Sequence, residues 1–121
     1  MDGRKGSGGG LEVNQRKILE AAAKACRLSV LKTAHSKHGL MVAIDENSIV
    51  HTLWNPLTNP GDTAEMCAKL LIDWINRVDS VISVSAEYDC EAFLKDHDNS
   101  HLKAWMFAAT IVAAKIGGYE E

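Results

Sequence analysis

The stretch Trp54-Asn55-Pro56-Leu57-Thr58-Asn59-Pro60-Gly61-Asp62 separates an apolar, strand-like run from an amphipathic, helix-like one. Both prolines of the chain lie in it, within the punctuating pairs Asn59-Pro60 and Pro60-Gly61. Proline fixes φ and lacks an N–H, so the backbone here is irregular. Asp62, followed by Glu65, reads as a capping box that opens a helix from about Thr63 to Asn76. Cys67, Leu70, Leu71, Trp74 and Ile75 repeat along it at steps of three and four, and Ala64 extends the stripe backwards. Glu65, Lys69, Asp73 and Arg77 take the opposite side. Their i,i+4 pairs, Glu65–Lys69 and Asp73–Arg77, stabilise a helix by about 0.2–0.5 kcal/mol each.

Working back from this stretch, Ile49 to Trp54 reads as a strand and Asp45 to Ser48 as a turn. Leu40 to Ile44 is a continuous apolar run, preceded by a turn at Ser36 to Gly39 and a β-tolerant segment, Ser29 to Ala34. Each turn is too short for a parallel crossover, so the three segments form an antiparallel meander. Asn14 caps a helix to about Leu28, with Ile18, Leu19, Ala22, Ala23, Ala25 and Cys26 on its apolar side. Residues 1–12 read as a flexible leader or tag, since MDGRKGSGGG offers nothing to bury against its ordering entropy. Residues 13–121 read as one α+β domain.

Working forward, Val81 to Tyr88 alternates in polarity as a half-buried strand does, and Cys90 to Leu94 is a candidate return strand. Lys95 to Asn99 is a polar loop. Ser100 or Asn99 caps a last helix to about Ile116, with Gly117 and Gly118 as its C′ and C″ residues. Its core stripe is Leu102, Trp105, Met106, Ala109, Val112, Ala113 and Ile116. The expected order is α-β-β-β-α-β-(β)-α, an antiparallel sheet of four to five strands with three helices on one face.

The net charge of −3 argues against a non-specific nucleic-acid binder, which needs a basic face. No apolar run approaches the ~18 residues of a membrane span. Arg4 and Lys5 are not followed by an apolar segment, so no secretory signal is visible. Cys26, Cys67 and Cys90 include no C-x-x-C pair and read as reduced thiols of an intracellular protein.

The candidate binding residues are Trp54, Asn55, Thr58 and Asp62, an aromatic beside an amide, a hydroxyl and a carboxylate on a loop. The competing possibility is a structural joint, with Trp54 buried and Asp62 capping the helix. An anion site at that helix start is opposed by the charge of Asp62. His35 with His38, and His97 with His101, have spacings open to a metal, but they fall in loops and caps, so no metal site or cofactor is expected. Cys90 lies between Asp89 and Glu91, which raise rather than lower a thiol pKa, and no catalytic residues are assigned. Phe107 and Ile111 fall off the last helix's core stripe: this second stripe either rests on the sheet from another side or is exposed, and in the second case the two are the candidate residues of a homodimer interface.

Trp54-Asn55-Pro56-Leu57-Thr58, two further residues, Gly61-Asp62 and then Ala68-Lys69-Leu70 form a pattern that resembles small uncharacterised proteins of tailed bacteriophages and prophages. The alanine-rich Ile18 to Ala25 and the closing Ala109-Thr110-Ile111-Val112-Ala113-Ala114-Lys115-Ile116-Gly117 are similar to segments of the same proteins. Those proteins usually carry an arginine where this chain has Glu65. The resemblance implies a phage accessory protein of the host bacterial cytoplasm, with no catalytic residue to carry over. The expected function is non-enzymatic binding of a host or defence-system protein. The alternatives are a small-ligand, nucleotide-like binder at Trp54, Asn55 and Asp62, and a homodimeric structural or assembly protein.

Overall fold

In the computed structural model, which describes residues 13–31 and 37–120, Val13–Ala25 forms helix α1. Ser29–Val30, Leu40–Ala43 and Thr52–Trp54 form strands β1, β2 and β3, and Pro60–Leu70 forms helix α2. Asp73–Asn76, Ser80–Val84 and Asp89–Phe93 follow as β4, β5 and β6, and His101–Ile116 is helix α3. The class is α+β. The single expected sheet is instead two antiparallel sheets of three strands, β1-β2-β3 and β4-β5-β6, and the order among the described residues is α-β-β-β-α-β-β-β-α. The expected leader, and positions 32–36 of the first expected strand and turn, lie outside the described residues.

The first sheet is the expected meander. Val30 faces Val42, and Leu40 faces Trp54. Gly39 enters β2 with φ at +145°, where a side chain is strained. A Cβ there would also lie 2.5 Å from the Trp54 carbonyl oxygen, so the chain closes tightly onto the start of the Trp54–Asp62 loop.

The largest departure lies at residues 71–76. The expected helix to Asn76 stops at Leu70, because Leu71 turns left-handed (φ 57°, ψ 49°) and its N–H bonds the Cys67 carbonyl. The Ile72 N–H donates to the same carbonyl at 2.9 Å, which closes the helix end. Asp73–Asn76 then pairs with β5, Trp74 facing Ser83 and Ile75 facing Ile82. Trp74 and Ile75 fit a pleated surface, and β5 gains a second neighbour. Trp74 and Ile75 are consequently about half exposed rather than core residues, and Asp73 and Arg77 are no longer one helical turn apart.

The start of α2 also differs. Asn59, not Asp62, is the cap: its Oδ1 accepts the N–H groups of Gly61 at 2.9 Å and Asp62 at 3.2 Å. Pro60 takes the first helical position, where its missing N–H costs nothing. Asp62 is thereby released for another bond, described below.

Helix α3 is the centre of the molecule. Ala104, Met106 and every residue from Ala108 to Ala114 are buried, and a helix apolar all round needs partners on all sides. One side packs Ala109, Ile111, Val112 and Ala113 with Ile18, Leu19 and Ala22 of α1, Met66 and Cys67 of α2, and Leu40 and Trp54 of the first sheet. The other lays Ala104 and Ala108 on Val81 and Ala92 of the second sheet. The second apolar stripe of α3 therefore packs within its own chain, Ile111 in the main cluster and Phe107 against both. Ile111, expected at an interface, is 2 % exposed in the core, and Phe107 is half-buried with its ring 4.8 Å from that of His97.

Ser100 caps α3, its Oγ accepting the Lys103 N–H at 3.1 Å. The helix ends at Ile116 as expected, but its cap is set one residue later, with Gly117 as the C-cap and Gly118 as C′. Gly118, with φ at +99°, sends its N–H to Lys115, and the Tyr119 N–H reaches Ala114 at 2.9 Å. Gly117 has an ordinary φ of −82°. It is needed for space instead, since a Cβ would overlap the Ala21 carbonyl oxygen of α1. The alanine-rich faces of α1 and α3 approach that closely.

Candidate functional site

Asn55 sits at the centre of the Trp54–Asp62 loop and is almost wholly engaged within the chain. Its Nδ2 donates to the His38 carbonyl at 3.0 Å, and its Oδ1 accepts the Leu57 N–H at 3.0 Å. Its own N–H donates to Asp62 Oδ2 at 2.9 Å, and its carbonyl accepts from Thr58 and Asn59. Thr63 Oγ1 adds bonds to the carbonyls of Pro56 at 2.7 Å and Asn59 at 3.0 Å. Trp54 is 8 % exposed and packs in the main core. Of the four expected binding residues, Trp54 and Asn55 are buried, Asp62 is partly buried and engaged with the Asn55 backbone, and Thr58 alone is exposed. Together they join the turn before β2, the end of β3 and the first turn of α2.

Two hollows flank this joint. The smaller, about 510 Å³, gathers Lys37, His38 and Leu53 beside Asn55, Thr58 and Asp62. The larger is a groove of about 720 Å³ between the first sheet and α2. Its floor is apolar: Leu28, Val42, Trp54 and Met66. Asp62, Glu65 and Lys69 of α2 form one rim, and Ile44, Ser48 and Val50 form the other. Ile44, Ile49 and Val50, in the connection between β2 and β3, are 82 %, 93 % and 67 % exposed. A further hollow of about 740 Å³ near α1 is bordered largely by charged side chains, among them Glu20, Lys24, Arg27, Asp45 and Glu46.

Of the four loop residues expected from sequence, Trp54 and Asp62 line this groove, whereas Val42, Met66 and Val50 were not among the candidates. Val42 and Val50 lie in apolar runs that look the same whether they face a core or a cleft. The signal that was present is Ile49-Val50, two β-branched residues next to a turn with no polar alternation.

Burial favours the protonated form of the two core thiols, Cys26 and Cys67. Burial pushes Cys67 up to about 11, helped by the neighbouring Cys26 thiol and the Asp73 carboxylate. Burial also raises Cys26, which Lys69 partly opposes. The Lys69 ammonium donates to the Cys26 carbonyl at 3.2 Å and so ties α2 to the end of α1. His97 and His101, four apart in sequence, serve different ends: one ring packs on Phe107, and the other bonds the Arg77 carbonyl at 2.7 Å. Among the described residues, no three His, Cys, Asp or Glu side chains converge as metal ligands. No helix among them is long and apolar enough to cross a membrane.

No protein-family model, curated protein or solved structure matches this chain.

Proposed function

We propose that this protein is a non-enzymatic binding module whose groove between the first sheet and α2 takes an apolar segment of another protein. One observation carries this: Ile44 and Val50, at the edge of an apolar cleft, stand largely in water, as does Ile49 next to Val50 in the chain. Exposed β-branched side chains rimming such a cleft form a patch that a docked partner would cover. Asp62 and Glu65 on the helix rim favour a partner segment flanked by cations. The resemblance to tailed-phage and prophage proteins supports a host or defence-system protein as the partner and the bacterial cytoplasm as the place of binding.

A second possibility is a small anionic, nucleotide-like ligand in the hollow beside the joint, favoured by Lys37 and His38 at its edge. The internal bonds of Asn55 and the charge of Asp62 weigh against it.

Affinity capture from bacterial lysate tests the proposal, using wild type, Val50→Glu in the groove rim and Leu102→Glu on the distant exposed start of α3. One stoichiometric protein held by wild type and Leu102→Glu, and lost with Val50→Glu, is expected. An identical set of captured proteins on all three baits would overturn the groove assignment. Co-purification of a nucleotide that Val50→Glu retains would favour the second possibility.

A further inference from the structure

The outer edge of the second sheet carries a pattern that is complementary to itself. β4 lies at the end of its sheet, with β5 on one side. Val78-Asp79 closes the hairpin between them, and the Arg77 N–H donates to the Ser80 carbonyl at 2.8 Å. Antiparallel ladders alternate, so counting back from Arg77 the backbone groups of Ile75 and Asp73 face β5. Those of Trp74 and Asn76 face outward. Outward-facing N–H and C=O groups on an exposed strand are a template for another strand, and all four residues of β4 are exposed.

We infer that two copies of this chain pair antiparallel through β4, about a two-fold axis at Ile75, joining their second sheets into one sheet of six strands. Outward groups must meet outward groups, so the axis passes through Trp74, Ile75 or Asn76. With the axis at Ile75, Trp74 exchanges backbone bonds with Asn76 of the second copy, and Asp73 lies opposite Arg77 of the second copy. Two-fold symmetry makes that charge pair twice. With the axis at Trp74, Asp73 faces Ile75; with the axis at Asn76, it faces Asp79. Only the central register joins opposite charges, and among the described residues neither Asp73 nor Arg77 forms an ion pair. The same register sets Ile75 against Ile75. Because Ile75 already faces Ile82 within each copy, four isoleucines then run across the joined sheet. A second copy thus supplies what this edge lacks: backbone partners, an apolar neighbour and counter-charges.

The edge is short and buries less than the ~1,000 Å² of a stable specific interface, so the dimer is weak and concentration-dependent. It does not involve the groove proposed above, and either can fail alone. Sedimentation equilibrium from about 10 µM to about 1 mM, at low salt, tests it with wild type, Asp73→Arg, Arg77→Asp and the double swap. These side chains are exposed, and circular dichroism verifies that each variant is folded. Wild type is expected to dimerise across this range. Each single reversal is expected to raise the dissociation constant roughly tenfold, and the double swap to return it towards wild type. A wild-type monomer throughout would overturn the inference. So would dimerisation indifferent to the single reversals, or a double swap that fails to recover it.

Discussion

Asn55→Ala removes the side chain that joins three segments while leaving the backbone contact to Asp62 in place. Two hydrogen bonds disappear, one to the His38 carbonyl and one from the Leu57 N–H, both 3.0 Å long. Each such bond contributes about 1 kcal/mol net, and a buried group left unpaired costs about 1–3 kcal/mol. Asn55 itself is 6 % exposed, but His38 is exposed and Leu57 is half-buried, so water restores part of the loss. The expected destabilisation is roughly 2–3 kcal/mol, a fall in Tm of about 10 °C for a domain of this size. Urea unfolding should show a lower midpoint with an unchanged slope. Asn55→Asp should be at least as damaging, since it cannot donate to His38 and adds a charge near Asp62. Thr58→Ala, at an exposed position of the same loop, should change stability by less than about 0.5 kcal/mol. A melting temperature for Asn55→Ala within about 2 °C of wild type would refute the joint and return this loop to the list of ligand sites.

Leu71→Gly should stabilise the protein by about 0.5–1 kcal/mol, because the left-handed backbone at Leu71 costs a side chain about 1–2 kcal/mol that glycine does not bear. A helix continuing through Leu71 would give the opposite sign, a loss of about 1 kcal/mol in the same thermal melt. Gly117→Ala should destabilise by about 1–3 kcal/mol or more despite its ordinary φ, since backbone rather than a side chain occupies the space its Cβ needs. An unchanged urea midpoint would show that α1 and α3 stand further apart. Cys67 has a folded pKa of about 11 against 9.0 for a free thiol, so the unfolded chain loses its proton first. The contribution of Cys67 is therefore full below about pH 9 and falls by roughly 2–3 kcal/mol as pH rises to about 11. Unfolding curves across that range should fall less steeply for Cys67→Ala, and parallel curves would contradict the burial of this thiol.

The fold was legible where local signals agree. The meander of the first sheet, the helix ends at Gly117-Gly118 and Ser100, and the apolar face of α1 all carried turn, cap or periodicity cues in sequence. Residues 71–76 carried none: no glycine, proline or asparagine marks Leu71, and Leu70, Leu71, Trp74 and Ile75 keep helical spacing. Pairing with β5 overrode that spacing, and such pairing depends on residues that lie further along the chain. The same blindness affected Asp62, whose spacing to Glu65 fits a capping box as well as it fits a brace to Asn55. For Phe107 and Ile111 the sequence left two places open, a second packing surface of the same chain or an interface, because periodicity marks an apolar stripe without saying what covers it; Ile111 lies in the core of its own chain. The groove was least legible of all, because apolar residues facing a cleft and apolar residues facing a core read alike.

Hydrogen–deuterium exchange of the chain, alone and with its captured partner, tests the binding groove most directly. Slower exchange in the complex is expected across residues 42–54 and 62–69, on the two sides of the groove. Slowing confined to residues 73–93, or no change in the first sheet, would contradict it.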